Sequence, residues 1–169
     1  MIFEIILISI SGIAMGIFQS TFLSQVIPWG IVPDIAMLIL IFSSWRTGAL
    51  PGEISGFLIG ISFDIFSLSP PGYYIFIYTI LGYVFGKLKD SISTGFVIGP
   101  AVSALAASTV KYILAYLLSF VSGINTSFDN FANLNTLRET AANIILAPLF
   151  FLIVKVIFSV FSRRRGGFQ

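Results

Sequence analysis

Residues 56–72 read GFLIGISFDIFSLSPPG. The run is apolar, Gly56 and Gly60 fall four apart, and one carboxylate, Asp64, stands four further on. Residues four apart share a helix face. What a carboxylate does on the glycine face of an apolar helix depends on the solvent around the chain. Of 169 residues, 57% are hydrophobic and 9% are charged, with mean hydropathy +1.01. A soluble domain carries about 25% charged residues, and a fold of this size leaves much of its surface exposed. The solvent is therefore lipid.

Length allows a single integral membrane domain over 1–169. There is no cysteine and no histidine, which removes disulfides, thiol chemistry and the commonest general base and metal ligand. A net charge of +2 is too small to suggest nucleic acid. The start, MIFEIILISISGIAMGIFQS, lacks a basic segment before its long apolar run, so it reads as a retained helix and not a secretory signal.

A membrane-crossing helix needs about 20 mostly apolar residues. Six candidate spans follow: 2–23, 33–45, 52–68, 72–85, 96–121 and 140–161, the second and fourth being short. The breaks VIPWGIVPD (26–34), RTGALPGE (46–53) and SLSPPG (67–72) are rich in Pro and Gly, and KLKDSIST (87–94) is polar. In the long link 123–139, Phe128, Phe131, Leu134 and Leu137 recur every three residues. That spacing predicts a short amphipathic helix at the interface. With six spans, Arg46, Lys87, Lys89 and Arg163–Arg165 fall on one side and Arg138 on the other. Basic flanks favour the cytoplasm, so both termini are expected there.

Charges inside hydrocarbon are costly and tend to find partners. Lys111 lies deep in the fifth span, Asp64 near the outer end of the third, and Glu4 and Lys155 in the inner third. Two pairings are expected, Lys111 with Asp64 and Glu4 with Lys155. Asp64 has a second option, backbone N–H groups of the turn that follows it. Gln19 sits in the first span, and Arg138, Glu139 and Asn143 near the outer start of the last. Small residues form stripes at Gly12, Gly16 and Ser20, at Gly52, Gly56 and Gly60, and at Ser103 and Ala107 leading to Lys111. Such stripes let backbones approach closely, either within the bundle or against a partner helix. The Gly12 stripe is the better candidate for a partner.

Enzyme readings find no inventory. There is no GxSxG, HExxH, Cys/His cluster or phosphate-binding loop. Glu53 and Asp64 share a helix but lie about 16 Å apart along it, too far for a cooperating acid/base pair. No cofactor and no metal is implied.

One resemblance covers nearly the whole chain. FQSTFLSQVIPWGIVPDIAMLILIF (18–42) resembles the start of the MreD family of rod shape-determining membrane proteins, with Gln19 late in the first span and Pro33-Asp34 opening the second. GFLIGISFDIFSLSPPG is similar to the family's glycine-to-aspartate segment at Gly56, Gly60, Asp64, Ser67, Pro70 and Gly72. YTILGYVFGKLKD (78–90) and ANIILAPLFFLIVKVIF (142–158), with Asn143 and Pro148, continue it. The resemblance implies an all-α bundle of six transmembrane helices, similar to the S-components of energy-coupling-factor transporters. It implies a non-enzymatic scaffold of the cell-elongation complex in the bacterial inner membrane. The partners implied are MreC directly, MreB, RodA and its transpeptidase indirectly, and membrane lipid. The alternative is an S-component binding a vitamin-like solute in an outward cavity, with Asp34, Asp64, Tyr73, Tyr74, Arg138 and Asn143 available to line it.

Overall fold

The computed structural model describes residues 1–23, 25, 32–67, 69–89, 97–123 and 133–165, with side chains as far as 159. Those residues form an all-helical membrane protein. Its helices are α1 (Ile2–Phe18), α2 (Ile35–Thr47), α3 (Ala49–Phe66), α4 (Tyr73–Lys87), α5 (Ile98–Val121) and α6 (Leu134–Arg165). A π-helical turn, Gln19–Leu23, continues α1. Four segments are long and apolar enough to cross a membrane: Ile2–Leu23, Ala49–Phe66, Ile98–Val121 and Leu134–Ser159. α2 and α4, with 13 and 15 residues, extend about 20 and 22 Å and lie where the sequence places its two short candidate segments.

α2 is the core. Every residue from Ile35 to Trp45 is buried, as expected of a helix apolar all round. α1, α3, α4, α5 and α6 all pack against it. Gly48 ends it with φ +108°, a backbone that residues with a Cβ rarely adopt. The chain then reverses directly into α3, whose Pro51 lies in the first turn, where no intrahelical N–H bond is required. At the far end of α2, Arg46 lies over the Phe158 ring at 5.5 Å, and Lys89 lies against Gly48. The basic residues Arg46 and Lys89 therefore share an end of the bundle with the last turns of α6.

α3 and α4 touch backbone to backbone along glycines. A Cβ on Gly60 would lie 2.5 Å from Ile75 Cα, and one on Gly86 would lie 2.5 Å from Ala49 Cα. Added at Gly56 it would strike the Tyr78 carbonyl, and at Gly82 the Gly52 carbonyl. The Gly52–Gly60 stripe is thus internal packing. So is the Gly12 stripe, a correction to its candidacy as a partner surface. Both glycines are buried, Gly12 beneath Ile59 and Gly16 beneath Phe63, whose ring a Cβ would approach to 2.7 Å.

The last helix starts earlier than hydropathy suggests. Asn133 accepts from the backbone N–H and hydroxyl of Thr136, at 2.9 and 3.1 Å, the bonds of a helix N-cap. The polar turn 134–139 is therefore helix. Hydropathy reads it as loop because it measures affinity for lipid, not helicity. Leu134 and Leu137 belong to α6 and are exposed. Phe128 and Phe131 of the expected interfacial helix lie outside the described residues. α6 also runs unbroken through Pro148.

Gly82→Val tests the glycine contact. It should lower unfolding stability in mild detergent by about 1–3 kcal/mol, the usual scale of overpacking. Ala14→Val, on an exposed face of α1, should stay within about 0.5 kcal/mol. Equal effects would contradict close α3–α4 packing.

Candidate functional site at the start of helix α2

The first N–H groups of a helix have no intrahelical acceptor. At α2 they are buried in an apolar bundle, where an unsatisfied N–H costs about 1–3 kcal/mol. The structure answers each with a side-chain oxygen. Asp34 N–H donates to Asn143 Oδ1 at 2.8 Å. Ile35 and Ala36 N–H both donate to Gln19 Oε1, at 2.7 and 3.2 Å. Met37 N–H donates to Asp34 Oδ1 at 3.0 Å, making Asp34 the N-cap. Pro33 precedes it, buried, and biases the chain into a sharp entry.

The Asp34 carboxylate is itself enclosed. The Tyr78 hydroxyl lies 2.8 Å from Oδ1 and 2.9 Å from Oδ2. Lys111 Nζ donates to Oδ2 at 2.6 Å and to Glu139 Oε1 at 2.8 Å. Asn143, with no exposure at all, also donates from Nδ2 to Ser108 Oγ at 3.2 Å. Six groups on α4, α5, α6 and the π turn thus converge on one helix terminus. A carboxylate there also complements the positive end of the helix dipole.

Each contributor has a local reason for its position. Ser20 and Thr21 hydroxyls turn back onto the Ile17 carbonyl, at 3.0 and 2.5 Å. That competes with the regular helix bond, and the chain widens into the π turn that begins with Gln19. Tyr78 stands four residues before Gly82 on the glycine face of α4. Ser108 precedes Lys111 by three on one face of α5, and Glu139 precedes Asn143 by four on one face of α6.

One expected pairing is corrected. Lys111 meets Asp34 and Glu139, not Asp64. Asp64 takes its second option and accepts from Gly72 N–H at 2.8 Å, Tyr74 N–H at 2.8 Å and Ile75 N–H at 3.4 Å. It caps α4, whose N-cap Gly72 has φ +90°. Glu4 is engaged by the N-terminal ammonium at 3.1 Å, and Lys155 lies on an exposed part of α6. Arg138 is exposed, and its neighbour Glu139 faces the cluster instead. Tyr78 and Ser108 are the members of the site that sequence reasoning left out, and Glu139 was placed near the outer start of the last span without a partner. The signal for Glu139 was present, because it lies one helical turn before Asn143.

Beside the cluster is a cavity of about 230 Å³, lined in part by Gln19, Asp34, Tyr78, Lys111 and Glu139. The chain's match to a known family is also extensive: the sequence model of the rod shape-determining protein MreD covers residues 1–157. The chain belongs to the MreD family. Its role therefore lies in determination of rod shape. No curated protein and no solved structure matches the chain. In this MreD-family chain the family-like residues Gln19, Pro33, Asp34 and Asn143 assemble one junction, while Gly56, Gly60, Asp64 and Gly72 build the α3–α4 pair beside it.

Asp34→Ala strips the N-cap and leaves Lys111 with one carboxylate. Breaking a buried pair from one side costs about 3–5 kcal/mol. Asp64→Ala, at a part-buried cap, should cost about 1–3 kcal/mol. This reverses the order expected if Lys111 paired with Asp64. Unfolding in mild detergent that showed Asp64→Ala to be the worse variant would contradict the assignment.

Proposed function

We propose that this protein is a non-enzymatic, multi-pass scaffold of the cell-elongation machinery in the bacterial cytoplasmic membrane. It binds the membrane helix of MreC and through it links the MreB cytoskeleton to peptidoglycan synthesis by RodA and its transpeptidase. Both termini are cytoplasmic, so the Asp34 cluster lies toward the outer face. The observation that carries this reading is the family match over 1–157. Two features of the fold support it. The polar groups at the start of α2 are spent on one another and on backbone caps, which makes the junction rigid. Long apolar side chains remain on the outside of the bundle, among them Ile145, Leu149 and Val156 of α6 and Leu105, Ile113 and Leu117 of α5, as lipid or a partner helix requires. The sharing of one end by Arg46, Lys89 and the last turns of α6 agrees with a cytoplasmic side rich in basic residues.

The test is replacement of the resident family member in a rod-shaped bacterium, with co-purification in mild detergent. Rod shape should be restored and MreC recovered. Asp34→Ala should fail in both. Recovery of an ATPase-linked energising module instead of MreC would contradict the scaffold and favour a solute-binding S-component. Gly16→Leu is not a usable interface probe here, because it would break the α1–α3 contact.

A further inference from the structure

We propose that the cavity beside Lys111 and an adjoining groove together hold one amphiphile, a phospholipid whose head carries a primary ammonium group. The groove, about 210 Å³, lies between α1 and α3 and is lined by Ile13, Ile17 and Phe66 among others. It shares Ser20, Phe63 and Tyr74 with the polar cavity, so the two adjoin. Ile17 and Phe66 are 46% and 76% exposed, so the groove opens sideways onto the apolar surroundings of the bundle. The head-proximal part of one acyl chain would lie in the groove and the polar head in the cavity, with the rest of the lipid in the bilayer.

The charges select the head. Two carboxylates, Asp34 and Glu139, surround the single ammonium of Lys111. Asp34 is saturated by Met37 N–H, Tyr78 and Lys111, and its side chain is 5% exposed. Glu139 is 25% exposed and lines the cavity, which makes it the carboxylate a ligand ammonium can reach. Two of the three N–H donors on Lys111 point at Asp34 and Glu139, and an ammonium has a third for a phosphate oxygen. The aromatic wall does not form an open cage. Phe63 is stacked on Tyr78 with centroids 5.3 Å apart and an interplanar angle of 18°. Recognition therefore runs through hydrogen bonds, which a trimethylammonium head cannot donate, and an anionic glycerol head lacks the charge Glu139 selects.

Native mass spectrometry of the full chain tests this. The detergent-solubilised protein is equilibrated with equimolar phosphatidylethanolamine, phosphatidylglycerol and phosphatidylcholine of identical acyl chains. The ethanolamine lipid should be retained about tenfold over each of the others, the scale of one charge-assisted hydrogen bond. Glu139→Gln should abolish the preference. Ile17→Trp, whose side chain lines only the apolar groove and is exposed, should abolish retention of all three while the melting temperature holds. It decides the matter if Glu139→Gln does not fold. Equal retention of the three lipids, or retention unchanged in Ile17→Trp, would overturn the proposal. Displacement of the lipid by equimolar soluble phosphoethanolamine would also overturn it, since the head alone would then suffice.

Discussion

The structure depends on a helix that begins inside an apolar bundle. α2 has no water at its start to receive its first N–H groups, and in hydrocarbon every backbone polar group must be met from within the protein. Four oxygen contacts on three side chains, Asn143, Gln19 and Asp34, do this. Two of those side chains come from the first and last helical segments of the chain. Satisfying α2 therefore fixes how α1 and α6 sit against it. The Asp34 carboxylate extends the same constraint to α4 through Tyr78 and to α5 through Lys111.

This arrangement accounts for features that are otherwise separate. A buried ion pair is often neutral for stability compared with apolar packing, but losing one partner is costly. Here Asp34, Lys111 and Glu139 give register more than net stabilisation, since hydrophobic packing alone would let neighbouring helices slide. Small residues supply the complementary control. Glycine contacts bring α3 and α4 close enough for Tyr78 to reach Asp34, and Gly16 lets Phe63 lie against α1. The π turn at Gln19 is a local departure from regular helix placed where a side chain must reach a neighbouring terminus, and such turns are frequent at functional sites.

Much of the fold was legible in the sequence. Composition dictated lipid as solvent, Pro/Gly breaks separated the helices, and glycine spacing marked a close-packing face of α3, though not its neighbour. Gln19, Asp34 and Asn143 were singled out as family-like residues. What the sequence did not reveal was that they meet, because the meeting depends on the rotation of each helix about its axis. Asp64 looked the nearer partner for Lys111 because depth can be counted along a helix, whereas azimuth across helices cannot. Arg138 and Asn143 were offered as cavity-lining residues and Glu139 was not, although the phase set by Asn143 points to Glu139. The start of α6 was hidden by its polarity, and the Gly12 stripe could not by spacing alone declare whether its neighbour was internal.

A rigid junction suits a member of a family that determines rod shape. The most direct measurement is amide hydrogen exchange, by NMR in detergent or nanodiscs, at Asp34, Ile35, Ala36 and Met37. If side chains cap the start of α2, these amides exchange among the slowest in the protein, and Gln19→Leu releases Ile35 and Ala36 before the rest of α2. Fast exchange at these four positions in the unmodified protein, or no selective release in Gln19→Leu, would contradict the junction.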